Sequence, residues 1–208
     1  MNENQRLKRI FAFRNYLRTL PVYLCVITSR QRDLIRTDLV RWQKIHRFDG
    51  GLFTALNWFL TEQRQFRNLL LHRLKNPYRD LGCWVRYGVA RLLWKPMEGL
   101  QLLTPEIGGG LYIEHGFATI VGAQRIGSNC WINQQVTVGY KDGECPILED
   151  NVHICCGAKV LGGITMHRGS CAGAGAVVIH DVPANAIAVG VPARIIDKKT
   201  KKKEGTPC

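Results

Sequence analysis

The chain has 208 residues, 46% of them hydrophobic and 22% charged, enough for one ordinary domain plus a helical extension but not for a second full-sized enzyme domain. That balance excludes a disordered chain. The formal charge of +13 is unevenly placed: Met1 to Pro96 carries 19 Lys and Arg against 6 Asp and Glu, whereas Met97 to Cys208 carries 10 against 10. No paired CxxC finger or RNP stretch accompanies the basic half, so no nucleic-acid partner is expected. An anionic membrane surface is the partner that such a half suits.

Residues 1–96 read as an α-helical N-terminal region of three or four helices. Apolar positions recur at three and four, as in Leu34, Leu39 and Trp42 and again in Phe66, Leu69, Leu70 and Leu74. Asp49, Gly50 and Gly51 form one break, and Asn76, Pro77 and Tyr78 another. The apolar run from Leu20 to Thr28 is far below the roughly 20 residues needed to span a bilayer. Arg14 and Arg18 interrupt any signal-peptide core. Eight cysteines without a CxxC pair fit reduced thiols, and the expected location is cytoplasmic, with the basic helices peripheral at the inner face of the membrane.

From Met97 the composition shifts to Gly, Ile, Val and Ala, and a six-residue period sets in. Leu148, Ile154, Val160, Met166, Ala172 and Val178 follow one another at intervals of six, with Val152, Ala158, Ile164, Ser170, Ala176 and Val182 four residues after each. An earlier run gives Ile107 and Ile113 and then, after one extra residue, Ile120, Ile126, Ile132 and Val138. A period of six does not suit an α-helix. It suits short strands joined by turns in a three-sided solenoid, each aliphatic side chain entering a triangular core and each rung stacking on its neighbours. Glycine follows the inward residue at Gly108, Gly127, Gly139 and Gly173, where backbone approach is close or dihedrals are unusual. The fold class is therefore mainly β, a parallel β-helix over residues 97–197, with a basic disordered tail at 198–208.

The stretch from Ile107 to Ile196 resembles the left-handed β-helix hexapeptide acyltransferases of the serine O-acetyltransferase group. The segments that carry the likeness are IGGGLYIEHGFATIV, IGSNCWINQQVTVGY and the closing VGVPARII. LIRTDLVRW and FRNLLLHRL resemble, more weakly, the helical entry region of that group. The resemblance implies crossovers of the hand opposite to the usual one, acetyl-CoA as co-substrate, and a homotrimer or dimer of trimers with active sites between subunits.

Acetyl transfer to a hydroxyl needs a base near neutrality, and histidine is the natural one. His115, in the sequence Glu114-His115-Gly116, stands where the family keeps its catalytic histidine, and Glu114 where it keeps an acidic residue that contacts the acceptor. A further carboxylate orients the histidine in serine acetyltransferases; ungapped alignment puts Leu100 there, with Glu98 close by. For CoA, family positions fall on Gly139 and Tyr140, Cys156 and Gly157, and Ala174 and Gly175, with Arg194, Lys198 and Lys199 for its phosphates.

The departure that matters most is the segment VGYKDGECPIL, where ten residues separate Val138 from Leu148 and an excursion leaves the helix. Serine acetyltransferases carry an adjacent Arg and His before the proline, which bind the substrate carboxylate; here the pair is Glu144 and Cys145. A carboxylate facing another carboxylate repels it, whereas arginine grips it bidentately. Cys145 before Pro146 resembles instead the serine-acetyltransferase-like enzymes of polysaccharide biosynthesis, and that resemblance implies a sugar hydroxyl in surface-polysaccharide synthesis as the acceptor, with L-serine as the alternative and a non-catalytic trimeric scaffold as the third reading. Cys145 paired with His115 as a covalent nucleophile is the less favoured chemistry. Cys145, His153, Cys155 and Cys156 offer sulfur and imidazole ligands for zinc, but packing in the register accounts for Cys155 and Cys156, and no metal is expected.

Overall fold

The computed structural model describes residues 3–75 and 81–196, with side chains from residue 10 onward. The break at Asn76, Pro77 and Tyr78 and the tail with Lys198 and Lys199 lie outside the described residues. The chain divides into two compact units, one from Met1 to Met97 and the other from Glu98.

The first unit contains five helices where the pattern predicts three or four: α1 (Glu3–Ile27), α2 (Arg32–His46), α3 (Leu52–Glu62), α4 (Arg64–Lys75) and α5 (Leu81–Leu93). The added boundary is abrupt, with only Gln63 between α3 and α4. Neither glycine nor proline marks it, so composition does not announce it. The core is aromatic. Trp42 packs edge-on against Phe59 and Phe66 at ring-centroid distances of 5.7 and 5.0 Å, and all three side chains are buried. Asp38 and Arg73 form a two-point ion pair at 2.9 and 3.2 Å, each only 2% exposed, which neutralises two charges that burial otherwise penalises heavily. No described helix is long and apolar enough to cross a membrane.

The second unit is a parallel β-solenoid of about five turns. Its strands are two or three residues long and fall into three sheets. Sheet A runs β1 (Leu100–Leu102), β4 (Thr119–Val121), β7 (Thr137–Gly139), β10 (Lys159–Leu161) and β13 (Val177–Val178). Sheet B runs β2 (Glu106–Ile107), β5 (Arg125–Ile126), β8 (Ile147–Leu148) and β11 (Thr165–Met166). Sheet C runs β3 (Tyr112–Ile113), β6 (Trp131–Ile132), β9 (His153–Ile154), β12 (Cys171–Ala172) and β14 (Ile187–Val189), closed by antiparallel β15 (Arg194–Ile196). Each of the first four turns of the coil thus contributes one strand to each sheet, the fifth replacing its sheet B strand with a single bridge from Val182 to Met166, and the inward residues Ile113, Ile132, Ile154 and Ala172 are fully buried. Burying one such isoleucine is worth about 1.5–3 kcal/mol.

One inward position differs from the count in sixes. Ile120 is 42% exposed and Val121 is fully buried, because β4 pairs Val121 with Val138. The extra length after Ile113 is therefore two residues, partly recovered by a shorter span before Ile126. The glycines after inward residues also divide. A Cβ at Gly108 would lie 2.6 Å from the carbonyl carbon of Gly127, so the rungs touch there, whereas one at Gly139 meets nothing within 4 Å. Close approach explains the first, and open space the second.

Candidate active site

His115 sits where the coil is lengthened. The turn between β3 and β4 has two residues more than those stacked above it, so it bulges from the prism and leaves the His115 side chain exposed. The backbone at His115 is left-handed, with φ 61°, followed by Gly116 at φ 70°. A non-glycine residue held there costs free energy, and such strain concentrates at functional sites. Glu114 precedes it as a fixed carboxylate: its Oε2 accepts hydrogen bonds from the Trp131 indole at 3.1 Å and the Asn133 amide at 2.7 Å. Asn133 in turn places its Oδ1 3.0 Å from Nε2 of His153. Glu98, near in sequence, is exposed and makes no hydrogen bond to His115 among the described residues.

Sheet C register stacks the next turns above this one. Ile113, Ile132, Ile154 and Ala172 are aligned, and the turns that follow them stack Gln134, Cys156 and Ala174 along one edge; the lengthened turn that carries His115 lies below them, with the Phe117 carbonyl accepting from the Gln135 N–H at 2.9 Å. Gly157 and Gly175 follow on the same edge in left-handed conformations, φ 72° and 67°, and Gly175 N–H donates to the Cys156 carbonyl at 2.9 Å. This edge of small residues leaves the backbone approachable by an extended ligand. Gln134 was missed by the reading of the sequence. Its Oε1 is buried and has no hydrogen-bond partner, an acceptor whose desolvation is uncompensated within the described chain. Only its place one rung above His115 could have signalled it.

The excursion after Val138 is a tight hairpin tip. Lys141 and Glu144 exchange backbone hydrogen bonds at 3.0 and 3.1 Å, with Asp142 and Gly143 at φ 55° and 85° between them. Asp-Gly is the pair that such a turn requires, since both central residues need positive φ. The hairpin roofs a cavity of about 920 Å³ whose lining includes Ile120, Gly139, Tyr140, Glu144, Cys145 and Gly163. The Glu144 carboxylate lies over the Gly163 backbone and fills the space that a Cβ there would need. The misplaced Ile120 thus forms cavity floor rather than core.

The structure therefore gathers the expected site residues into two groups. Gly139, Tyr140, Glu144 and Cys145 share the cavity; Glu114, His115, Cys156, Gly157, Ala174 and Gly175 share the sheet C edge. The first group lies at and beyond the C-terminal end of β7 and the second before the starts of β4, β10 and β13, and His115 does not line the cavity of its own chain. Arg194 is exposed on β15 and belongs to neither group, and Lys198 lies outside the described residues. Cys145 and His115, in separate groups, are not a nucleophile–base pair within the chain.

No protein-family model matches the chain. A serine acetyltransferase of Bacillus licheniformis is 42% identical over 102 residues, 47% of each chain, and one of Staphylococcus aureus is 40% identical over 135 residues, 62% of each. The matched part is thus about half the length of the first of these relatives. Among solved structures, soybean serine acetyltransferase complexed with serine matches with TM-score 0.57 and 26% identity, over 79% of this chain and 69% of that one. A serine acetyltransferase complexed with CoA matches in fold with TM-score 0.60 at 23% identity, over 88% and 83%. These neighbours have the left-handed β-helix, and the solenoid of this chain is of that kind.

Proposed function

We propose, for a chain related to the serine acetyltransferases and sharing their left-handed β-helix, that the protein is an acetyl-CoA-dependent O-acetyltransferase with His115 as its general base. The observation that carries this reading is the lengthened turn that presents His115 at the foot of the small-residue edge formed by Gln134, Cys156, Gly157, Ala174 and Gly175. The pantetheine arm lies along that edge with its thioester beside the imidazole. His115 takes the acceptor hydroxyl proton as the oxygen attacks the thioester carbonyl. The C–S bond then breaks, and the imidazolium returns the proton to the departing CoA sulfur. Glu114, clamped by Trp131 and Asn133, faces the acceptor as a fixed acceptor of hydrogen bonds. The buried oxygen of Gln134 receives a donor from the bound ligand.

A second copy of the chain completes the site. His115 and the hairpin cavity occupy different margins of sheet A, so a neighbouring subunit in a homotrimer supplies the hairpin that covers this His115. The protein acts in the cytoplasm, where acetyl-CoA is at hand. Ile10, Phe13, Leu17 and Leu24 are each at least half exposed on α1 beside Arg14, which favours peripheral contact of the helical unit with an anionic membrane.

L-serine is the acceptor favoured by the relatives' names, and it takes precedence over the sugar hydroxyl expected from the sequence alone. The sugar reading keeps one specific support: Glu144 stands in the cavity where serine acetyltransferases carry an arginine. Release of CoA thiol from acetyl-CoA, followed with L-serine and with a panel of sugars, separates the readings. Serine-dependent release is expected; sugar-dependent release alone would restore the sugar reading, and no acceptor-dependent release would leave the scaffold.

A further inference from the structure

The outer surface of sheet C carries a group of side chains that the transfer reaction does not use. His153 and Cys155 project from one rung and Cys171 from the next, where it is paired in register with His153. Their ligand atoms, one imidazole nitrogen and two sulfurs, all lie within 4.8 Å of one another. Sγ of Cys155 is 3.8 Å from Sγ of Cys171 and 4.0 Å from Nε2 of His153. All three are half-buried, so they are shielded from bulk water yet reachable.

Two thiolates at about 2.3 Å from a tetrahedral zinc ion are separated by about 3.8 Å, and a thiolate and an imidazole nitrogen by about 3.6 Å. The sulfur pair stands at the first separation already, and the ring needs only a small movement to reach the second. We propose that His153, Cys155 and Cys171 form a site for a soft, thiophilic cation of the zinc class on the outer face of sheet C. Its fourth position is open to solvent or to the Asn133 amide oxygen, 3.0 Å from Nε2. The ligand set differs from the one weighed from the sequence: Cys145 lies in the hairpin cavity and Cys156 on the edge above His115, while Cys171 enters because it stands three repeats after His153.

Two thiols and one neutral imidazole take up Zn²⁺ with loss of two protons to solvent, and no electron changes hands. The Cys155 thiol is pushed up to about 12, first by its hydrogen bond with Cys171, with burial adding to the rise and the His153 hydrogen bond opposing it. Zinc takes the thiolate forms of both cysteines, so its binding displaces their protons. Binding also exchanges the His153–Asn133 hydrogen bond for a metal bond, at the far end of the chain that holds Glu114.

The test is titration of the reduced, chelator-stripped full chain with Zn²⁺ against a chromophoric chelator, and with Co²⁺ by absorption. One equivalent per chain and a thiolate-to-cobalt charge-transfer band are expected. Cys155→Ser and Cys171→Ser should each abolish the band, and Cys25→Ser, in the helical unit, should retain it. Apparent affinity should rise roughly tenfold per pH unit for each thiol proton displaced. Absence of the band from the unsubstituted chain overturns the proposal without any variant needing to fold. So does a band that survives both serine substitutions, a band lost equally in Cys25→Ser, or an affinity indifferent to pH.

Discussion

The helical unit and the β-helix are stable for different reasons, and the contrast shows where to look for function. In the helical unit no position repeats another: an aromatic cluster around Trp42 and one buried ion pair between Asp38 and Arg73 hold particular helices together. In the β-helix every rung repeats the one before, so each departure from the repeat is visible against a regular background. There are two large ones, the added residues that expose His115 and the hairpin that roofs the cavity. Both groups of candidate site residues gather around them.

The sharpest way to break this contrast is to attack the helical unit at its ion pair. Arg73→Met leaves Asp38 buried with its two-point partner gone, and chemical denaturation should show a loss of about 3–5 kcal/mol. A loss under about 1 kcal/mol would mean that water enters to replace the guanidinium. In the β-helix the corresponding functional test is His115→Ala. Turnover should fall by about 10²-fold or more, the usual size for a positioned base, while circular dichroism and oligomer size stay unchanged because the side chain is exposed.

The repeat itself is tested by a pair of matched substitutions. Gly108→Ala drives a methyl into the backbone of the next rung and should cost about 1–3 kcal/mol. Gly139→Ala, whose Cβ meets nothing, should leave stability within about 0.5 kcal/mol of the parent. Equal costs would show that these glycines serve backbone conformation rather than rung contact. The smallest effect concerns Glu149, where the Arg168 backbone N–H at 2.8 Å, helped by the His167 side chain, holds the carboxyl below its ordinary range. The folded state then gains stability above the ordinary glutamate pKa and loses it as pH falls through the lowered value. Denaturation midpoints measured across that acidic window should flatten in Glu149→Gln.

The solenoid was legible in the sequence because one inward side chain per face leaves a direct imprint at spacing six. Ile113, Ile132, Ile154 and Ala172 could be counted without knowing their partners. Ile120 misled the count because an isoleucine next to Val121 satisfies the same pattern, and only pairing with β7 decides which of the two points inward. His115 and the hairpin could be found as irregularities, although their placement on different margins of sheet A is a property of the coil in three dimensions. Gln134 carries no pattern: its unpartnered oxygen exists only once the neighbouring rungs surround it. The cluster of His153, Cys155 and Cys171 was hidden for a related reason, since residues eighteen apart become neighbours only when three faces complete a turn. The helices were read coarsely because helix ends without glycine or proline, as between α3 and α4, leave little in the sequence to mark them.

In the proposed function, CoA lies along the edge that runs from the His115 turn through Cys156 to Ala174. A crystal structure with bound CoA decides whether it does. The pantetheine arm is expected against the backbone of Gly157 and Gly175, with its sulfur beside the His115 imidazole and a neighbouring copy's hairpin over both. CoA bound at another face of the prism, with its sulfur remote from every copy's His115, would contradict it.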